Sequence, residues 1–122
     1  MPRISIMADE SGNFDFSRRS GASRYFILTT VTCTDFTVGD ELLALRRDMV
    51  WRGLAVESEF HATDDSLEVR TEVFDLLRRH DFRVDATILE KAKAQPQTRA
   101  SEETFYRYAW DYHLKHLAPK VV

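Results

Sequence analysis

Asp9 and Glu10 stand side by side in Asp9-Glu10-Ser11-Gly12, directly after the short run Ile4-Ser5-Ile6-Met7-Ala8. A carboxylate delivered by the end of a strand offers hard oxygen ligands suited to Mg2+ or Mn2+, ions that keep several waters and bridge to phosphate oxygens. Neighbours on an extended strand point to opposite faces, so both acids meet one ion only where the strand gives way to a turn, and Gly12 supplies that break. The same four residues are good turn formers in their own right, and the motif reads either as a metal-holding turn or as plain turn chemistry.

A second acid and imidazole grouping flanks Phe60. Glu59 and His61 are two apart, so in an extended segment they share one face while Phe60 turns to the core. There Glu59 ligates metal or positions water, and His61 shuttles a proton near neutral pH or contacts a phosphate. The alternative is a loop before a helix, with a surface Glu and a hydrogen-bonded His. Asp85, on the polar face of a later strand, is a third candidate ligand if it joins Asp9 across the sheet; a solvent-facing position is the ordinary fate of a lone strand Asp. Asp65 suits a helix cap and leaves Asp64 as a spare acid.

His113 and His116 lie three apart but lack a third ligand at suitable spacing, and fit an aromatic-rich helix end. Arg18, Arg19 and Arg24, and later Arg78, Arg79 and Arg83, read either as phosphate contacts, with Phe14 or Tyr25 as stacking faces, or as solvated charge. Walker-type phosphate loops, Gly-x-Gly-x-x-Gly turns and Gly-x-Ser-x-Gly elbows do not occur.

The elements that must carry these residues follow from periodicity. Residues 3–8 alternate as a strand, residues 12–23 form a polar loop interrupted by Phe14 and Phe16, and residues 24–34 resume a β-rich run, which together predict a wide N-terminal hairpin. Thr37 with Asp40 marks a helix start, Leu42, Leu45 and Met49 recur at helical spacing, and Gly53 ends it. Asp65 with Glu68 opens a second helix with a Val69, Val73, Leu76 and Leu77 stripe, ending at Arg78, Arg79 and His80, where the helix dipole favours positive charge. Residues 56–62 and 82–89 are candidate strands, residues 91–100 a polar linker.

Ser101 with Glu102 and Glu103 caps a third helix that runs to Pro119. The expectation is a single α/β domain over residues 1–122, with a mixed sheet of three or four strands and three helices. Phe105, Tyr106, Tyr108, Trp110, Tyr112, Leu114 and Leu117 surround most of the circumference of the third helix, so helix 101–118 needs cover on more than one side. A homodimer through this helix satisfies that need.

With 122 residues, 43% hydrophobic and 30% charged, the chain has the balance of a globular protein rather than a disordered one. Its net charge of -3 excludes a global basic field of the kind that marks dedicated nucleic-acid binders. Charge is uneven: residues 35–66 hold eight acids against three arginines, while residues 91–122 hold six basic residues against three acids. Apolar runs fall far short of a bilayer span and the N-terminus lacks a signal-peptide core, so a cytoplasmic location without membrane attachment is expected. Cys33 is the only cysteine, which rules out an internal disulfide or a Cys-based zinc site and suits a small core residue.

The opening Ile4 to Phe14, the run Arg24-Tyr25-Phe26-Ile27-Leu28-Thr29 and the later Glu59-Phe60-His61-Ala62 together resemble the bacterial and phage family known as domain of unknown function 3800. That family is grouped with ribonuclease-H-like folds. The resemblance implies a metal-dependent nuclease acting on a nucleic acid or other phosphodiester, with Asp9 as the first-strand acid, Glu10 its neighbour, and Glu59 with His61 the second polar motif. It also implies a Gln-x-Ala-Asp segment that completes the acidic site; no such segment occurs here, so a domain shortened at its C-terminus is expected.

Overall fold

In the computed structural model, which describes residues 3–17 and 19–121, the chain forms β1 (Ser5–Ser11), β2 (Tyr25–Cys33), α1 (Thr37–Trp51), α2 (Leu67–Leu77), β3 (Arg83–Glu90), a 3-10 turn (Lys91–Lys93) and α3 (Glu102–Val121). The strands make one antiparallel sheet in the order β1-β2-β3, and β2 and β3 pair in register from Tyr25 opposite Glu90 to Thr32 opposite Arg83. The α/β class, the hairpin and the three helices agree with the sequence. The mixed sheet does not form among the described residues, because its remaining candidate strand is irregular.

That candidate, residues 56–62, bends at Ser58 and Glu59. Only Val56 and Phe60 in it favour a pleated strand, and side chains meet its backbone polar groups where a ladder would have done so. Arg46 Nε donates to the Glu57 carbonyl at 2.6 Å, Arg70 Nη1 donates to the Ala62 carbonyl at 3.1 Å, and the His61 N–H donates to Asp65 Oδ2 at 2.8 Å. Asp65 is thus used to close this loop, and the cap of α2 passes to Ser66, whose Oγ accepts from the Val69 N–H. At α1 the cap position is Phe36, and Asp35 Oδ1 accepts from the Thr37 N–H at 3.0 Å.

The chain divides into two compact units. One, essentially Cys33–Phe82, pairs α1 with α2 and buries Met49, Val69 and Leu76. The other, Ile6–Thr32 with Arg83–Val122, is the sheet with α3 packed on it. Along β2 the alternation is plain: Phe26, Leu28, Thr30 and Thr32 are buried, while Tyr25 is exposed and Ile27, Thr29 and Val31 are half-buried. On α3, Phe105, Ala109, His113 and Leu117 recur every four residues as the buried stripe, and Ser101 Oγ accepts from the Thr104 N–H as the cap expected there.

Phe26, Leu28, Phe105 and Ala109 form the core of this unit, and Phe14 and Phe16 of the loop after β1 pack onto it. Ring centroids are 5.4 Å apart for Phe26 and Phe105 and 4.9 Å for Phe16 and Phe105, both edge to face. That explains why an otherwise polar loop contains two phenylalanines. Gly12 starts the loop at φ 101°, and a Cβ there would lie 2.4 Å from the Tyr25 carbonyl oxygen, so only glycine lets the chain turn so close to β2.

Candidate functional site

The first strand runs past the acids. β1 continues through Ser11, and the break falls at Gly12 rather than at Asp9, so Asp9 and Glu10 lie within the strand and leave it on opposite faces. Glu10 turns toward α3, where Oε1 accepts a hydrogen bond from the Tyr106 hydroxyl. Asp9 is exposed on the other face; its Oδ1 accepts from the Glu10 N–H at 2.9 Å, and among the described residues its carboxylate has no cationic partner. The strand therefore separates two acids that the expected turn would have brought together.

Asp85 lies opposite Thr30 in the β2–β3 register, on the face that α3 covers, and hence on the face opposite Asp9. It is occupied there: Arg83 Nε and Nη2 donate to its two oxygens at 2.8 and 3.0 Å. The Arg83 hydrogen bonds hold its carboxyl below the usual range against a partial desolvation, with Lys120 adding a weaker attraction. A carboxylate so matched is a poor metal ligand, and Arg83 for its part has Nε and Nη2 engaged by it.

Glu59 and His61 belong to the α1–α2 unit. Because residues 56–62 are not a strand, no alternation puts the two side chains on one face. Glu59 is exposed, and the His61 ring lies 3.7 Å from Glu57 Oε2, an ion pair when the imidazole is protonated. Among the described residues, no group of three His, Cys, Asp or Glu side chains is disposed to hold a metal ion.

Two polar centres in the sheet unit were not legible as such in the sequence. His113 is buried on the sheet, with Nε2 2.6 Å from Thr30 Oγ1 and Nδ1 2.7 Å from Thr87 Oγ1. With the ring neutral, one threonine hydroxyl donates and the other accepts. Burial lowers its pKa, opposed by the charge of Asp85. With both nitrogens engaged, His113 serves to pin α3 to the sheet.

Lys91, read from sequence as the start of a polar linker, is only 4% exposed. Its Nζ donates to the Asn13 carbonyl at 3.0 Å, to Asn13 Oδ1 at 3.0 Å and to the Asp15 carbonyl at 2.6 Å, and lies 5.5 Å from the centre of the Phe16 ring. Desolvation lowers the Lys91 pKa, with Asp15 opposing. The one available signal was its position directly after an alternating strand, where a linker lysine would normally be solvated. Of the loop arginines, Arg19 and Arg24 line a cleft beside Lys91, and Arg18 lies outside the described residues.

On α3, Tyr108 and Tyr112 remain exposed and pack in series with His116 as tilted rings, at centroid distances of 6.2 and 4.7 Å. The aromatic residues therefore divide between a buried stripe and an outward one. Among the described residues no helix is long and apolar enough to cross a membrane. Comparison of the chain with models of protein families, with curated proteins and with solved structures finds no match.

Proposed function

We propose that this chain is a ribonuclease-H-like phosphodiesterase domain, nuclease-like and dependent on Mg2+ or Mn2+, with Asp9 as its protein ligand. The observation that carries this reading is the exposed Asp9 carboxylate on β1, unmatched by any cation among the described residues, in contrast to Asp85. Magnesium is commonly held by one or two carboxylates, with waters and substrate phosphate completing the shell, so a lone strand Asp fits such an ion. A three-carboxylate cage that includes Asp85 does not fit. A bound ion would supply charge stabilisation at a phosphoryl oxygen and a more acidic water. Glu10, turned to Tyr106, acts in this reading as a support for the strand end.

The test is calorimetric titration of Mn2+ into the wild type and Asp9→Ala, paired with cleavage of single- and double-stranded oligonucleotides. Binding and cleavage that both vanish in Asp9→Ala, with an unchanged thermal melt, support the proposal. Divalent-dependent cleavage that survives the substitution sinks it.

A second reading is a non-catalytic interaction module that dimerises through α3. The outward stripe of Tyr108, Tyr112 and His116 favours it, since three rings at helical spacing form a ready contact surface. Light scattering at several concentrations decides: this reading requires a dimer in the wild type and a monomer in Tyr112→Glu.

A further inference from the structure

The loop that packs onto the sheet through Phe14 and Phe16 also walls a cleft of about 430 Å3 beside the end of β3. That volume falls in the range of roughly 300–1,000 Å3 typical of small-molecule sites. Among the described residues its lining holds four cationic side chains, Arg19, Arg24, Lys91 and Arg99, against one carboxylate, Glu90. In a chain of net charge -3, this is a strong local reversal of sign.

The five charges are not equivalent. Glu90 is already matched, with Arg24 Nη2 at 3.3 Å and Lys93 Nζ at 3.2 Å from its oxygens. Lys91 has all three of its donors placed on Asn13 and Asp15, so it adds a fixed positive charge to the wall and holds the loop in position. Arg19 and Arg99 are exposed, and among the described residues neither has a carboxylate in ion-pair range. Two unmatched guanidinium groups share a concavity with a buried ammonium behind it, next to the apolar faces of Phe16 and Ala22. Arginine presents a planar fork of donors that matches the oxygens of a phosphate.

We propose that this cleft binds the phosphate group of a nucleotide-sized ligand, with Arg19 and Arg99 as the contacts to the oxyanion and the apolar wall against the remainder. The site requires neither Asp9 nor a divalent ion, and stands apart from the catalytic reading.

Calorimetric or NMR titration with AMP, adenosine and inorganic phosphate tests it, in the absence of divalent ions, on the wild type, the Arg19→Ala/Arg99→Ala double variant and Asp9→Ala. Both arginines are exposed, so the double variant should melt as the wild type does. The expected result is that AMP binds at least tenfold more tightly than adenosine or inorganic phosphate, more weakly as salt rises, and equally well in Asp9→Ala, with about a tenfold or greater loss in the double variant. Equal affinity for AMP and adenosine, no binding of AMP, or a double variant as tight as the wild type overturns the proposal. Inorganic phosphate binding as tightly as AMP overturns its nucleotide part.

Discussion

The two faces of the β2–β3 pair are built from the same two strands and have opposite fates. On the face under α3, Phe26 and Leu28 are at most 1% exposed. On the other, Val84 and Ile88 are 56% and 63% exposed and Tyr25 is 40% exposed. Strand alternation assigns residues to faces, but it does not state which face will be covered; only the helix that arrives on it does. The acids divide in the same sense, since Asp9 lies on one side without a cationic partner among the described residues, while Glu10 turns to Tyr106 of α3 and Asp85 is matched by Arg83.

The covered face should carry the stability of this unit. Phe105→Ala removes a ring that packs edge to face on Phe26 and Phe16, and we expect a loss of about 3–5 kcal/mol in urea unfolding, the range for deleting a buried aromatic side chain. A loss below about 1 kcal/mol would mean that α3 does not hold to this face in solution.

His113 sharpens the same contrast by pH. Its pKa is lowered from the ordinary 6.5 by burial, so the folded state keeps a neutral ring where the unfolded chain takes up a proton. Its contribution is fully present above the unfolded value and is lost as pH falls through about 6.5 toward the lower folded value, because there the unfolded state binds more protons. Stability measured from pH 7.5 down to 5 should therefore fall more in the wild type than in His113→Gln, after subtraction of the other histidines through that comparison. Equal slopes would show that the ring is not held neutral between Thr30 and Thr87.

Much of this architecture was legible because period and capping residues speak directly. The β-rich run of residues 24–34, the Leu42, Leu45 and Met49 spacing, and Ser101 ahead of α3 each placed an element. Residues 56–62 read either as a strand or as a loop before a helix because a single Phe between polar residues mimics a strand, while the forces that bend it come from side chains outside the segment, Arg46, Asp65 and Arg70. The site was less legible for the same reason. Whether Asp9 and Glu10 converge depends on where β1 breaks, and that is set by the close approach of Gly12 to Tyr25. The burial of Lys91 depends on carbonyls more than seventy residues earlier in the chain.

Thr32 offers a smaller test. Its hydroxyl is buried and has no hydrogen-bond partner among the described residues, unlike that of Thr30 two positions before it. An unpaired buried hydroxyl costs free energy that an isosteric methyl does not. Thr32→Val should thus raise stability by about 1 kcal/mol, while Thr30→Val, which strips His113 of a partner, should lower it. Destabilisation by both would show that the Thr32 hydroxyl is satisfied in solution.

The smallest expected effect is the most informative about the exposed face. Ile88 lies opposite Ile27 in the ladder and is largely open to water, so Ile88→Thr removes little buried area and keeps a β-branched side chain that suits the strand. For an isolated chain the change should stay within about 0.5 kcal/mol, the usual scale for surface substitutions. The measurement is urea unfolding at two protein concentrations a hundredfold apart. If Ile88→Thr costs little at both, the exposed face is solvated and the stability of this unit resides under α3. If instead the cost grows with concentration, Ile88 is covered in an assembly, because only association makes the stability of a folded chain depend on its concentration. The contrast between the faces would then belong to the single chain alone.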